Sequence, residues 1–289
     1  MPELPDIAIL ADALDVVLAG RPLTGSKITQ SLVLRGTPSE LATFQGQTLR
    51  DVTRRGKFLV LRFERDRMIF NPMLTGRLGV VTAGEKAWPQ WAAMFEFGAA
   101  TGKARRHAWP AAKAAWLPRR DLGVELRYRD ATRMGKIYLM PAGVARPVAG
   151  WDEQGPDADD PALTLDAWRE RIGRHSGELK SLLRNQQFVA GIGNAYSDEI
   201  LWAARLLPFR KRTSLASDEV DALYSATRET LAWAIDQLHD LVPPRLEVEQ
   251  REFLNVHRKG GSACPRCGTR LSQVSAGGFD TTFCRGCQR

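Results

Sequence analysis

Apolar residues set the first pattern in the chain. Between Asp6 and Gly20, Ile7, Leu10, Leu14, Val17 and Leu18 recur at helical spacing, which predicts an amphipathic helix ended by Gly20. The texture then changes to short β-type runs at 27–34, 57–63, 68–74, 77–81, 123–129 and 136–140, separated by glycines and polar turns. Such runs predict a sandwich or barrel. Helical spacing returns at 165–172, 179–185, 195–204 and 218–238. The last of these carries Val220, Leu223, Leu231, Ile235 and Leu238 on one face, with Ser217 placed to cap it. The intervening GWDEQGPDADDPA at 150–162 has no apolar period and is rich in Gly, Pro and Asp, which predicts an interdomain linker.

A chain of 289 residues is long enough for two domains or one large one. Its formal net charge of +8 points to a polyanionic partner, nucleic acid before an anionic membrane surface. No apolar run approaches the roughly 18 residues needed to cross a bilayer, and Glu3 and Asp6 lie where a leader would be basic. A cytoplasmic protein without membrane contact is therefore expected. Residues 99–120 place Lys103, Arg105, Arg106, His107, Lys113, Arg119 and Arg120 among alanines, tryptophans and prolines. This stretch reads either as a solvated loop or as a basic insertion that touches DNA.

All four cysteines fall late, as Cys264-Pro-Arg-Cys267 and, after 16 residues, Cys284-Arg-Gly-Cys287. Two close pairs can each give two thiolates to one tetrahedral zinc, and four thiolates leave no open position for water, so the site is expected to be structural. Two disulfides or four free thiols fit the spacing less well. Residues 251–289 carry seven Lys and Arg against two acids, a charge suited to phosphates.

Two further features are weak alone. Gly191-Ile192-Gly193-Asn194 lies between helical segments, where glycines let backbone approach a ligand and helix-start amides can bind an anion. Met1-Pro2-Glu3-Leu4-Pro5 has a second residue that permits removal of Met1. The secondary amine so exposed has a reference pKa near about 8 and can attack carbon as lysine does, with Glu3 handling protons.

In order, the chain holds Pro-Glu-Leu-Pro at its start, Arg54-Arg55-Gly56-Lys57-Phe58-Leu59, Leu74-Thr75-Gly76, Val189-Ala190-Gly191-Ile192-Gly193-Asn194-Ala195-Tyr196, and the cysteine ribbon ending Cys287-Gln288-Arg289. This arrangement resembles the formamidopyrimidine-DNA glycosylase and endonuclease VIII family along nearly the whole chain. The resemblance implies an α+β multidomain fold. Its expected parts are an N-terminal helix and catalytic β-sandwich at 1–149, the linker at 150–162, a helix–two-turns–helix DNA-binding domain at 163–250 and a zinc ribbon at 251–289. It implies base excision repair of oxidised bases with nicking at the abasic site, through an iminium on Pro2. Glu3 would assist ring opening, and Lys57 would contact phosphate beside the lesion. Asn194 and Lys180 would bind DNA from the helical domain, Asn71 would stand where a histidine is common, and Leu74, Arg133 and Met134 would fill the gap left by an extruded nucleotide. The implied partner is damaged duplex DNA, or bubble or single-stranded DNA, bound by a monomer holding one zinc.

The match also fails at particular places. Five residues before its third ribbon cysteine the family usually has an arginine that binds phosphates; here that position is Phe279, followed by Asp280. Arg270 and Arg285 are candidates to replace it. The loop 130–135 lacks the family's Arg-Arg-Phe run, and Asp6 replaces a glutamate. These departures leave oxidised purine and oxidised pyrimidine both open as lesions, and they keep a non-catalytic damaged-DNA-binding relative as the alternative.

Overall fold

In a computed structural model the structure describes residues 1–84, 90–110, 113–276 and 278–289. The chain forms two compact units, Met1–Ala149 with Leu238–Gln250, and Gly150–Gln237 with Arg251–Arg289.

The first unit opens with α1 (Leu4–Leu18), whose buried residues include Ile7, Leu10, Leu14, Val17 and Leu18. Gly20 follows it at φ +82°, a conformation that favours glycine. Next come β1 (Leu23–Ile28), β2 (Leu34–Arg35), the short α2 (Pro38–Ala42), β3 (Leu49–Arg55), β4 (Phe58–Phe63), β5 (Arg67–Asn71), β6 (Arg77–Thr82), β7 (Ala93–Phe97), β8 (Val124–Arg129) and β9 (Lys136–Met140). They make two sheets, ordered β1-β7-β8-β6 and β2-β9-β5-β4-β3. Aromatic residues of both sheets meet between them. Phe63 of β4 stacks on Phe97 of β7 at 6.3 Å, and Phe70 of β5 meets Phe95 of β7 edge-on at 5.9 Å. The expected sandwich is this pair of sheets.

Local chemistry moves several predicted boundaries. The run 27–34 is not one strand: the amides of Thr29 and Gln30 both donate to Ala92 O, at 2.9 and 3.1 Å, and Ser31–Val33 coil into a 3₁₀ turn. The run 68–74 ends at Asn71, because Pro72 has no amide to continue a ladder and Met73 turns to φ +51°. The apolar runs miss β3, where polar residues interrupt the texture, and β7, a five-residue strand with Glu96 as its one polar position. The basic stretch is partly anchored rather than simply solvated. Trp109 is 4% exposed, stacks on His239 at 4.9 Å and donates Nε1–H to His239 O at 3.0 Å; residues 111 and 112 lie outside the described residues.

The second unit holds α3 (Leu165–Gly173), α4 (Leu179–Arg184), α5 (Asn194–Ala203), most of α6 (Ser217–Leu241) and a hairpin of β10 (Ser272–Ala276) with β11 (Phe279–Phe283). Ser217 is the first helical residue of α6 rather than its cap. The Glu219 carboxylate accepts from the Ala216 amide at 3.0 Å in its place. Residues 150–162 pack within this unit: Gly155 N–H donates to Gln186 O at 2.8 Å, Asp157 bridges Ala190, and Arg228 donates to Asp160 O at 2.7 Å.

Candidate active site and nucleic-acid interface

Pro2 and Glu3 sit at the entry to α1. Both are buried, and Glu3 is the N-cap residue. Its amide donates to Asp6 Oδ2 at 2.7 Å, so the aspartate that departs from the family pattern closes the first turn as half of a capping box. That bond fixes the backbone on which both expected catalytic groups are mounted. Pro2 lines a mainly apolar cleft with Asp6, Ile7, Pro72, Arg77 and Glu249. Glu249 forms an ion pair with Arg77, and its Oε1 lies 3.6 Å from the Met1 nitrogen. Neither residue belongs to a motif in the sequence, and 172 positions separate them.

Two loops at one end of the sandwich carry three other expected residues. The loop from β5 to β6 holds Leu74, 46% exposed, and the loop from β8 to β9 holds exposed Arg133 and Met134. One buried carboxylate ties the loops together. Asp130 accepts from the Thr75 hydroxyl, from Gly135 N–H at 2.6 Å, and from the Thr132 amide and hydroxyl at 3.2 and 3.1 Å. Burial alone would raise the Asp130 pKa, but these donors outweigh it and hold the carboxyl below its ordinary range. Burial, with the Asp130 charge beside it, pushes the Tyr128 phenol well above its usual value. Lys136 Nζ donates to the carbonyls of Arg133, Met134 and Gly135 at 2.9, 2.9 and 3.1 Å, which caps the turn where Arg133 takes φ +56°. Asn71 ends β5 opposite Lys136 and accepts from Met73 N–H at 3.2 Å. Its place is thus at the root of the first loop. Lys57 is half-buried in the turn between β3 and β4, beside Gly56 at φ +56°.

Within the second unit, α4, two turns and α5 form the helical motif. Gln186 staples the turns, accepting from Gly191 N–H at 3.0 Å and donating to Ile192 O at 2.8 Å. Gly191 is at φ +103°. Asn194 begins α5 and its Nδ2 donates to Asp280 O on the hairpin at 2.9 Å. Lys180 reaches the same carbonyl at 2.9 Å. It also donates to Thr281 Oγ1 at 2.9 Å and to Asp198 Oδ1 at 2.6 Å, and it is only 5% exposed. The lysine singled out as a DNA contact is placed as a strut between helix and hairpin. Asp198 Oδ2 lies 2.8 Å from His257 Nδ1; the carboxylate can only accept, so that ring nitrogen carries the proton.

The four cysteine sulfurs lie within 4.8 Å of one another. Tetrahedral zinc with bonds of about 2.3 Å needs sulfurs roughly 3.8 Å apart, so the donor set and spacing fit a metal. Gly268, at φ +73°, follows the first pair, and its amide donates to Cys264 O at 2.9 Å. Trp202 Nε1–H donates to Cys264 Sγ at 3.4 Å, while Arg266 stacks over Trp202 at 4.0 Å and donates to Cys287 Sγ at 3.6 Å. These outer contacts fix the ligands' orientation.

Family models describe two stretches of the chain: the formamidopyrimidine-DNA glycosylase N-terminal domain matches residues 1–137 and the H2TH domain of the same enzyme matches residues 154–242. The chain belongs to the formamidopyrimidine-DNA glycosylase family. Relatives of that name from Pelotomaculum thermopropionicum and Geobacillus kaustophilus are each 29% identical; each match covers all of this chain, with 99% and 100% of the respective relative. The fold is that of Lactococcus lactis Fpg solved with Fapy-dG DNA, at TM-score 0.83 and 23% identity over the whole of both chains. The same enzyme solved with abasic-site DNA gives 0.82 and 22%, over 99% of both. With this family membership, the four-cysteine ribbon and the helix–two-turns–helix are as the resemblance implied. Among the described residues no helix is long and apolar enough to cross a membrane.

Against the family pattern, Phe279 opens β11 with its ring 43% exposed, and the Arg184 guanidinium lies 3.6 Å from the ring centroid. Neither Arg270 nor Arg285 had signalled this pairing, and the sequence separates its two members by nearly a hundred residues.

Proposed function

We propose that this chain, a base-excision-repair DNA glycosylase acting on damaged DNA, uses the amine of Pro2 as its nucleophile once Met1 is removed. The observation that carries the reading is the seating of Pro2 and Glu3. The Asp6–Glu3 cap holds both at the entry to α1, and Pro2 lines a mainly apolar cleft.

In the first step Pro2 N attacks C1′ of the extruded nucleotide. The bond from C1′ to the base breaks, and its electron pair leaves with the base. The Pro2 nitrogen passes its own N–H proton to the departing base, Glu3 gives a proton to the ring oxygen as the sugar opens, and the Pro2 lone pair freed by that deprotonation forms the iminium. The iminium acidifies C2′; loss of a C2′ proton expels the 3′ phosphate and nicks the strand. Water then hydrolyses the iminium and frees Pro2. Leu74 and Met134, exposed on loops tied by Asp130, act as the wedge that fills the vacated stack, with Arg133 beside them. Lys57 and Asn194 serve as phosphate contacts, and Asn71 supports the Leu74 loop. Cys264, Cys267, Cys284 and Cys287 hold one structural zinc, which orders the ribbon and takes no part in the chemistry. Action on DNA, with relatives of this family in bacteria, supports a cytoplasmic location.

Borohydride reduction during turnover of abasic-site DNA tests the reading. The processed protein should be trapped covalently, with the adduct on Pro2, while Pro2→Gly should give little adduct and Glu3→Gln should slow nicking. Absence of an adduct with the processed native chain would sink the mechanism. The second reading, a damage-binding protein without catalysis, is favoured by Phe279 and is excluded if either variant loses strand nicking.

A further inference from the structure

The hairpin of the ribbon presents an exposed aromatic ring with a cation laid against it. Arg184 is the last residue of α4, one turn beyond Lys180, and its guanidinium carbon lies 3.6 Å from the Phe279 centroid. Both members of this stack are positioned from the same point. Lys180 and Asn194 each donate to Asp280 O at 2.9 Å, which seats the start of β11 against the helices. On the helix side, Gln186 Nε2 donates to Arg184 O at 2.7 Å and holds the end of α4.

The charges around the stack differ in what they can reach. Lys180, the other cation of α4, is buried and paired with Asp198. The Asp280 carboxylate, which would repel a phosphate, accepts from Ser275 Oγ across the hairpin. Arg184 is only half-buried. A guanidinium stacked through its face keeps its N–H donors in the plane of the fork, the geometry that grips a phosphate with two parallel bonds. The ring also removes part of its hydration, which strengthens such a bond.

We infer that Arg184, seated on Phe279, is a phosphate ligand for the DNA backbone, and that it supplies from α4 the charge absent from the hairpin itself. The inference rests on the glycosylase reading and adds a binding residue to it. The ligand is a phosphodiester flanking the lesion. Phe279 is the platform that holds the guanidinium flat.

The test measures binding of the intact zinc-loaded protein to a duplex holding a tetrahydrofuran abasic analogue, by fluorescence anisotropy between about 50 and 200 mM salt. Arg184→Gln should weaken binding about tenfold and reduce the slope of log K against log salt by about 0.9, the signature of one lost phosphate contact. A second change, Phe279→Arg, made in that variant should restore the slope. Phe279→Leu keeps every charge and should weaken binding severalfold with the slope unchanged; it also serves if Arg184→Gln fails to fold. An unaltered slope in Arg184→Gln, an unrestored slope in the double variant, or undiminished affinity in Phe279→Leu overturns the inference. If the native protein binds and nicks abasic DNA while any of these occurs, the glycosylase reading survives alone; if the native protein neither binds nor nicks, both fall.

Discussion

Asp130→Asn is a sharp probe of how the wedge loops are built. The substitution keeps the side chain's shape but removes the charge from a residue that is 3% exposed and accepts from Thr75, Thr132 and Gly135. Whichever way the new amide turns, its NH₂ faces a backbone donor, the Gly135 N–H on one side or the Thr132 N–H on the other, although the Thr75 and Thr132 hydroxyls can turn to accept. Hydrogen bonds to a charged acceptor contribute about 1.5–3 kcal/mol, and stranding a buried donor costs about 1–3 kcal/mol. Water can reach the exposed residues 131–134 and recover part of this, so the expected loss at neutral pH is about 2 kcal/mol. Acid provides the control. The folded carboxyl has a lowered pKa, so it binds its proton less tightly than the unfolded chain does. Its stabilisation is complete above about pH 4 and is lost as pH falls through the lower folded pKa. Urea unfolding of native and variant proteins should show a gap in midpoints at pH 7 that narrows on acidification below about pH 4. Strand nicking by the folded variant should also fall, since Leu74 and Met134 lose their shared anchor. Equal midpoints at pH 7, or a gap that persists undiminished in acid, would refute the account.

Other expectations concern space and metal. Gly135→Ala would place a Cβ 1.9 Å from the Tyr128 hydroxyl and 3.0 Å from Asn71 O, so the loops must shift; thermal unfolding should show a loss of about 2–4 kcal/mol, and an unchanged midpoint would show that the site is roomier than this. Chelation or acidification should release one zinc per chain, because thiolates must bind protons when the metal leaves. DNA affinity should fall with it, as read by metal analysis and anisotropy together. Cys264→Ala should abolish stoichiometric zinc; full retention would mean a different ligand set.

Apolar period was enough to place α1, α3, α4, α5 and the heart of α6, although α1 and α5 are buried nearly all round rather than on one face. It was poorer for the sandwich. Met73 and Arg133 at positive φ, and the amides of Thr29 and Gln30 turned onto a single carbonyl, are decided by contacts with distant segments. Motif order made Pro2, Glu3, Asn194 and the cysteines legible as candidates. Glu249, Arg77 and Arg184 were not, since their partners lie far off in the chain and no local spacing marks them. Lys180 was visible as a basic position, but its burial depends on Asp198 and on the hairpin folding back over it.

Lys180 and Asn194 both hold the hairpin by the carbonyl oxygen of residue 280, an atom that every amino acid possesses. The socket therefore imposes no demand of its own on the side chains at 279 and 280. A glycosylase with such a joint can exchange the tool mounted there while the mount stays the same. The chemistry at the hairpin tip is then free to drift, or to be redesigned, one substitution at a time.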